Sequence, residues 1–394
     1  MRWVILALIV LAQTVANIGP LGIPAIASLI RDDLGLTLAQ AGSFLSAYYI
    51  GPVTMSLFGG MLADRWGTAR TLVLGQAIIA VGLLAASVAP TYGVFVALMI
   101  VAGVGYGALN PTSTTAAMSW FPPRQRATVV GLKQVGLPFG GMLGAVTLPA
   151  LALTLGWRGA IAASALAIGA CAIASAAIYR DPPDEVAARR ATTARGALRS
   201  VLRTRDLWLV AAATAVFAAM QTVWMAFLAL YLQGVVGLSL LAASRYLALA
   251  QGGGALGRVA FGMLSDRVFG GGRRAPLAIA GCTSALCSVA IAFTGPGTPG
   301  PWLATLALVF GFTGIGWNGV QHTLMAELAG PGGATTAVGL GLAVSSAGVM
   351  LGPPVFGWLV QSAGGYRGAW LALAATMAVG LVVLGLVRER RPLL

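Results

Sequence analysis

Lys133 is the only lysine among the 24 lysines and arginines of the chain. It stands among apolar and small residues, Ala127-Thr-Val-Val-Gly-Leu-Lys-Gln-Val-Gly-Leu-Pro-Phe-Gly-Gly. Arg258 has a similar setting, Gly257-Arg-Val-Ala-Phe-Gly, and His322, the one histidine, closes the polar cluster Trp317-Asn-Gly-Val-Gln-His. Such side chains in apolar surroundings suit two tasks. A fixed cation holds an anion, and a guanidinium grips a planar carboxylate by two parallel hydrogen bonds. An imidazole changes charge near neutral pH and can pass a proton. Lys133 also has a blander option, to run its stem along apolar surface and end in water. That route is short, because Arg126 lies about 10 Å away along a helix.

The elements that must position these groups are unusually apolar. Of 394 residues, 58% are hydrophobic and 9% charged, against about 25% charged in a soluble domain. Apolar stretches run over 3–30, 39–62, 71–89, 92–118, 127–155 and 158–179, and then over 207–232, 242–264, 276–294, 302–327, 335–362 and 368–387. Each is close to the ~20 residues that cross a hydrocarbon core of ~30 Å. Helices are the form that satisfies the backbone there. The fold class expected is an all-α membrane protein with twelve transmembrane helices. Its solvent partner is the lipid bilayer.

The net charge of +14 would suggest nucleic acid in a soluble protein. Its distribution excludes that reading. The gaps on one side hold Arg2, Arg65, Arg70, Arg124, Arg126, Arg267, Arg273, Arg274, Arg388, Arg390, Arg391 and the arginines between 180 and 205. The gaps on the other side hold Arg31, Arg158 and Arg367. The positive-inside rule then places both termini in the cytoplasm of a bacterial-type inner membrane. The first stretch reads as an uncleaved helix, too long for the apolar region of a signal peptide. Cys171, Cys282 and Cys287 fall within spans and show neither disulfide nor metal-ligand spacing.

The polar segment 181–206 divides a first set of six spans, 1–180, from a second, 207–394, and the two sets repeat one another. Gly60-Met-Leu-Ala-Asp-Arg-Trp-Gly returns as Gly262-Met-Leu-Ser-Asp-Arg-Val-Phe-Gly. Asn110 returns as Asn318, and Gly131, Gly140 and Gly144 as Gly339, Gly348 and Gly352. Gly-Trp-Arg-Gly-Ala at 156–160 returns as Gly-Tyr-Arg-Gly-Ala at 365–369. Internal repeats of this kind typify secondary transporters. The small residues allow close helix approach, and Pro138, Pro353 and Pro354 mark bends.

On these motifs the chain resembles the major facilitator superfamily over essentially its whole length. The pattern Gly60, Asp64, Arg65, Gly67, Arg70 carries most of that resemblance, and its second copy has one extra residue before the glycines. The resemblance implies two pseudo-symmetric six-helix bundles around a central cavity. It also implies that Asp64 and Asp266, with Arg65, Arg70, Arg126 and Arg267, gate the alternating states rather than bind substrate. Plain topogenic charge is the alternative. Arg258, eight residues before Asp266, resembles the span-8 arginine of nitrate porters and of some monocarboxylate or oxalate carriers. The span-2 arginine of the nitrate porters is Ser56 here, which argues against nitrate.

Carboxylates are missing at the depth of Lys133, Arg258 and His322, while Asp32, Asp33 and Glu327 lie at span ends. An anion would relieve buried positive charge, so the expected substrate is a small organic anion, a carboxylate by this chemistry. Asn17, Tyr48, Gln134, Gln221, Trp224, Trp317, Asn318 and Gln321 are the further candidates to line its site with Lys133, Arg258 and His322. Tying helices together is their structural alternative. No nucleotide-binding loop is present and no cofactor is called for. Transport would then run on gradients or exchange, with His322, and more weakly Glu327, as proton carriers. One chain holds a complete site and would work as a monomer. The rival readings are an exporter of drugs or other amphipathic compounds, to whose span-5 glycine motif residues 131–144 partly conform, and a non-transporting receptor. An enzyme would need a catalytic set that does not stand out.

Overall fold

The computed structural model of the protein describes residues 2–122, 125–180, 201–330, 334–362 and 364–389, with the backbone alone at 56–65, 118, 126–128, 334 and 335. Ser56, Asp64, Arg65 and Arg126 therefore lie outside the described side chains, and residues 181–200 of the polar segment lie outside the described residues. No strand occurs among the described residues.

The first half begins with α1 (Arg2–Gly22), which passes through a 3-10 turn (Ile23–Ile26) into α2 (Ala27–Leu34). Short α3 (Leu38–Gly42) starts on a reciprocal cap between Thr37 and Gln40. Then come α4 (Phe44–Trp66), α5 (Thr68–Ser87), α6 (Tyr92–Ser119) and α7 (Arg126–Ile178). The turn between α4 and α5 is the single residue Gly67, at φ 89°, a value suited to glycine. The 53 residues of α7 would reach about 80 Å if straight. Gly156 (φ 70°, ψ 167°) breaks that rod, so α7 supplies two spans. Pro138 lies within α7 without ending it.

The second half holds α8 (Arg205–Gly234), α9 (Leu240–Arg267), α10 (Arg274–Ile291), α11 (Gly300–Phe310), α12 (Asn318–Ala329), α13 (Ala334–Ser362) and α14 (Gly365–Gly385). A π turn, Gly311–Ile315, joins α11 to α12 within one span. With α7 counted twice, and α1–α2 and α11–α12 once each, the described residues supply twelve helical spans, six in each half. Among the described residues, nine stretches qualify as spans by length and composition alone. Helix α9 is not among them, because Arg245, Gln251 and Arg258 punctuate its middle.

Contacts group Met1–Arg190 with Leu238–Ala248 in one compact unit, and Ala191–Gly237 with Leu249–Leu394 in another. In the first, α1 packs on α7 through Gly140, whose missing Cβ leaves room for the Thr14 carbonyl, and Gly144, which meets Ile18 and Gly22. In the second, α8 packs on α13 through Gly348, against the Ala215 carbonyl, and Gly352, against Ala219. Gly131 and Gly339 face open space and take no part in these seams. Outward faces stay apolar; Ile173, for example, is 73% exposed. Lipid accepts such a surface, whereas water would not.

Candidate functional site

Lys133 does not run out to water. Its side chain is 0% exposed and its ammonium points into α6. There Nζ donates to the Asn110 carbonyl (3.0 Å), the Asn110 side-chain oxygen and Thr114 Oγ1 (3.1 Å). An ammonium has three donors, and three neutral oxygens meet them. Ser113 Oγ also donates to the Asn110 carbonyl (2.9 Å) and lies 3.5 Å from Gln13 Oε1 on α1. Gln13 in turn donates to Tyr106 Oη (2.7 Å), and Asn17 donates to the Gln13 carbonyl (2.7 Å). The polar chain thus runs from Lys133 to Asn17 across three helices.

Asn17 Oδ1, at the end of this polar chain, and Tyr48 Oη are buried without a hydrogen-bond partner. The Tyr48 ring lies against Tyr49 and Tyr106, each at 5.7 Å. Gln134, next to Lys133, is half-buried. Sequence reasoning missed Gln13, Asn110 and Thr114 as members of this group. Asn110 was legible only as one of a repeated pair.

In the second unit, Arg258 on α9 and His322 on α12 come close enough for the charge of one to act on the other. Both are half-buried. Next to His322, Gln321 is buried with Nε2 unpaired, directly beside Gly341. One turn earlier Asn318 donates to Gln221 Oε1 (3.2 Å), which ties α12 to α8. The π turn immediately precedes this run, a feature that often marks functional positions.

The tryptophans are differently placed. Trp224 stacks on Phe310 at 3.9 Å, donates to Ser288 Oγ (2.9 Å) and is 1% exposed. Trp317 donates to the Gly314 carbonyl (3.0 Å) and packs on Phe217. Both are engaged within the helical core of their own unit. A recess of about 410 Å³ beside Tyr231, Tyr366 and Arg367 shares no residue with either polar cluster.

At the end that carries the α9–α10 loop, one arginine organises the charges. Arg273 Nη1 meets Asp266 at 2.5 Å and Ser265 Oγ at 2.8 Å, and Arg273 Nη2 meets Glu327 at 3.0 Å. Burial draws the Arg273 pKa down, but the hydrogen bonds to Glu327 and Asp266 outweigh it and leave the pKa raised. Glu389 accepts from the backbone N–H of Arg273 (2.5 Å) and Arg274 (3.3 Å) and so caps α10. The partner of Asp266 is therefore Arg273, while Arg267 is exposed. Glu327, expected as a weak proton carrier, belongs to this ion-pair cluster. Arg70 is exposed as well.

The family model described as Major Facilitator Superfamily matches residues 5–347. The chain is 27% identical to a probable sulfoacetate transporter of Cupriavidus necator, over 96% of this chain and 92% of that protein. It is 30% identical to an uncharacterized MFS-type transporter of Mycobacterium tuberculosis, over 94% of this chain and 82% of that protein. Among solved structures, a bacterial homolog of the human lysosomal transporter Spinster superposes with a TM-score of 0.79 at 19% identity, covering 98% of this chain and 95% of the other. With twelve spans in two sets of six and matches of this extent, the chain belongs to the Major Facilitator Superfamily, a family of membrane transporters rather than enzymes.

Proposed function

We propose that the protein is a secondary transporter that moves a small organic anion, a carboxylate in the first instance, by alternating access. The observation that carries this reading is that two basic side chains in mid-span, Arg258 and His322, lie within electrostatic reach of one another. The described carboxylates are committed at helix ends instead. Asp32 pairs with Arg31, Asp33 with Arg158, and Asp266 and Glu327 with Arg273. Asp206 and Glu389 accept from backbone N–H groups of Arg388, Arg273 and Arg274. A relative named for sulfoacetate supports an anionic cargo. Arg258 and Lys133 supply fixed positive charge, one in each half, and His322 is the imidazole available to pass a proton. The arginine pattern favours a bacterial cytoplasmic membrane with both termini inside. A single chain suffices as the working unit.

The test is uptake of labelled organic anions into liposomes that contain the purified protein, with lipophilic cations as the contrast. The expected result is saturable anion uptake that Arg258→Ala abolishes. An imposed proton gradient should accelerate it in wild type and not in His322→Asn. Movement of lipophilic cations with no anion uptake, unchanged by Arg258→Ala, would replace this reading with the exporter.

A further inference from the structure

Gln251 carries an amide that the fold leaves unused. It lies in α9, its side chain is 0% exposed, and neither Oε1 nor Nε2 has a hydrogen-bond partner. Buried polar atoms are nearly always paired, and each exception needs a reason. Packing alone does not supply one, since a leucine would fill similar space without desolvating an amide. The packing seam of α9 is made by its neighbours. Ala250 meets Gly311, Gly253 meets Leu308, and Gly257 meets Phe312 and Gly316.

Gln251 stands beside that seam, in register with a residue already assigned. Seven residues, nearly two full turns, separate it from Arg258, so the two project from the same flank of α9 with Cα atoms about 10 Å apart. The charge of Arg258 reaches His322 on α12, which gives this flank a polar neighbour. Two long side chains on one flank can close on the two ends of a short molecule. One brings a cation, and the other brings a donor and an acceptor together.

We propose that Gln251 is a specificity-determining residue of the anion site, where Arg258 takes the carboxylate and the Gln251 amide both donates to and accepts from a hydroxyl on the same substrate. The proposal rests on the anion reading above. A hydroxyl matches an amide because it offers one donor and spare acceptor capacity. A second carboxylate would satisfy Nε2 but set its charge against Oε1, and an alkyl group would leave both unpaired. The substrate class is then a short hydroxycarboxylate. A site built to bond a hydroxyl discriminates strongly against the analogue that lacks it.

The experiment measures liposome uptake for pairs of carboxylates that differ by one hydroxyl, lactate with propionate and glycerate with lactate among them, in wild type and Gln251→Leu. Wild type should favour the hydroxylated member by about tenfold or more in kcat/KM, an energy of about 1.4 kcal/mol. In Gln251→Leu that ratio should fall to about one. The thermal midpoint of the purified variant should hold or rise, since an unpaired buried amide has been removed. A ratio that survives in Gln251→Leu overturns the proposal, as does equal transport of both members by wild type. A lowered midpoint with both substrates lost equally also overturns it, because Gln251 would then be structural. Absence of uptake of every carboxylate by wild type defeats the anion reading itself, and the Gln251 role falls with it.

Discussion

Gly131→Ala and Gly140→Ala add the same methyl group to the same helix, yet they should move stability in opposite directions. At Gly131 nothing lies within 4 Å of the added carbon. Alanine there gains the usual helix advantage over glycine, about 0.5–1 kcal/mol. At Gly140 the new Cβ overlaps the Thr14 carbonyl and sits 3.0 Å from Asn17 Cβ. Neither neighbour is the free end of a long side chain, so α1 as a whole must withdraw from α7. Overpacking of this kind costs about 1–3 kcal/mol. The two variants should therefore differ by about 1.5–4 kcal/mol, or ~3–16 °C in Tm for a unit of this size. Thermal unfolding of purified protein followed by tryptophan fluorescence reads that difference directly. Gly140→Ala should also slow transport, because α1 carries Gln13 and Asn17. In the second half, Gly339→Ala and Gly348→Ala repeat the contrast against the Ala215 carbonyl. Equal Tm changes for Gly131→Ala and Gly140→Ala would show that the seam has been misassigned.

Three further outcomes follow from single contacts. Arg273→Ala frees Asp266 and Glu327, whose side chains are 64% and 40% exposed. After screening the loss should be only about 1–2 kcal/mol, shrinking at high salt, while Arg267→Ala changes nothing; equal Tm shifts for the two would reject the assignment. Trp224→Phe keeps the stack on Phe310 but loses the bond to Ser288, at a cost of about 1 kcal/mol. It should leave the transport KM within twofold of wild type, and a larger change would put the ring in contact with substrate. Asn110→Leu should destabilise the protein more than Lys133→Met does, as judged by the two unfolding midpoints. The first leaves the buried ammonium one acceptor short, with the residue-110 carbonyl and Thr114 Oγ1 remaining, whereas the second removes the charge altogether; the reverse order would mean that the Asn110 side chain does little to hold Lys133.

Spans, repeats and sign of charge were legible in the residues because lipid leaves the backbone so few choices. Twelve apolar runs became twelve spans, and the turn at Gly67 and the reversal at Gly156 took the positive φ that only glycine adopts freely. Partners across helices were a different matter. A repeat of three glycines cannot say which of them meets a neighbour, since that depends on how each helix is rotated. Gly131 and Gly339 turned to open space. The pairing of loop charges was hidden for the same reason. Arg273, seven residues along the chain, and not the adjacent Arg267, holds Asp266. Nothing in the sequence set Gln13 above Thr14 and Asn17 in the same span, and only its bond to Tyr106 reveals it.

The two halves share their seams and differ in their chemistry, and the repeat itself exposes the difference. With the offset that carries Asn110 to Asn318 and Gly140 to Gly348, Ser113 corresponds to Gln321, Thr114 to His322, and Lys133 to Gly341. In the first half the lysine from α7 fills the space beside Asn110 and Thr114. In the second half the matching position has no side chain, and a Cβ there would come within 2.6 Å of Gln321 Nε2. The amide of Gln321 occupies room that the first half gives to its ammonium. The second cation comes instead from α9, as Arg258, whose charge reaches His322 at the position of Thr114. One repeated arrangement of helices thus carries two unlike polar centres. In the first, the cation is held by neutral oxygens of its own half, which suits a fixed charge. In the second, a guanidinium acts on the only histidine in the chain, which is the arrangement the proposed anion site calls for.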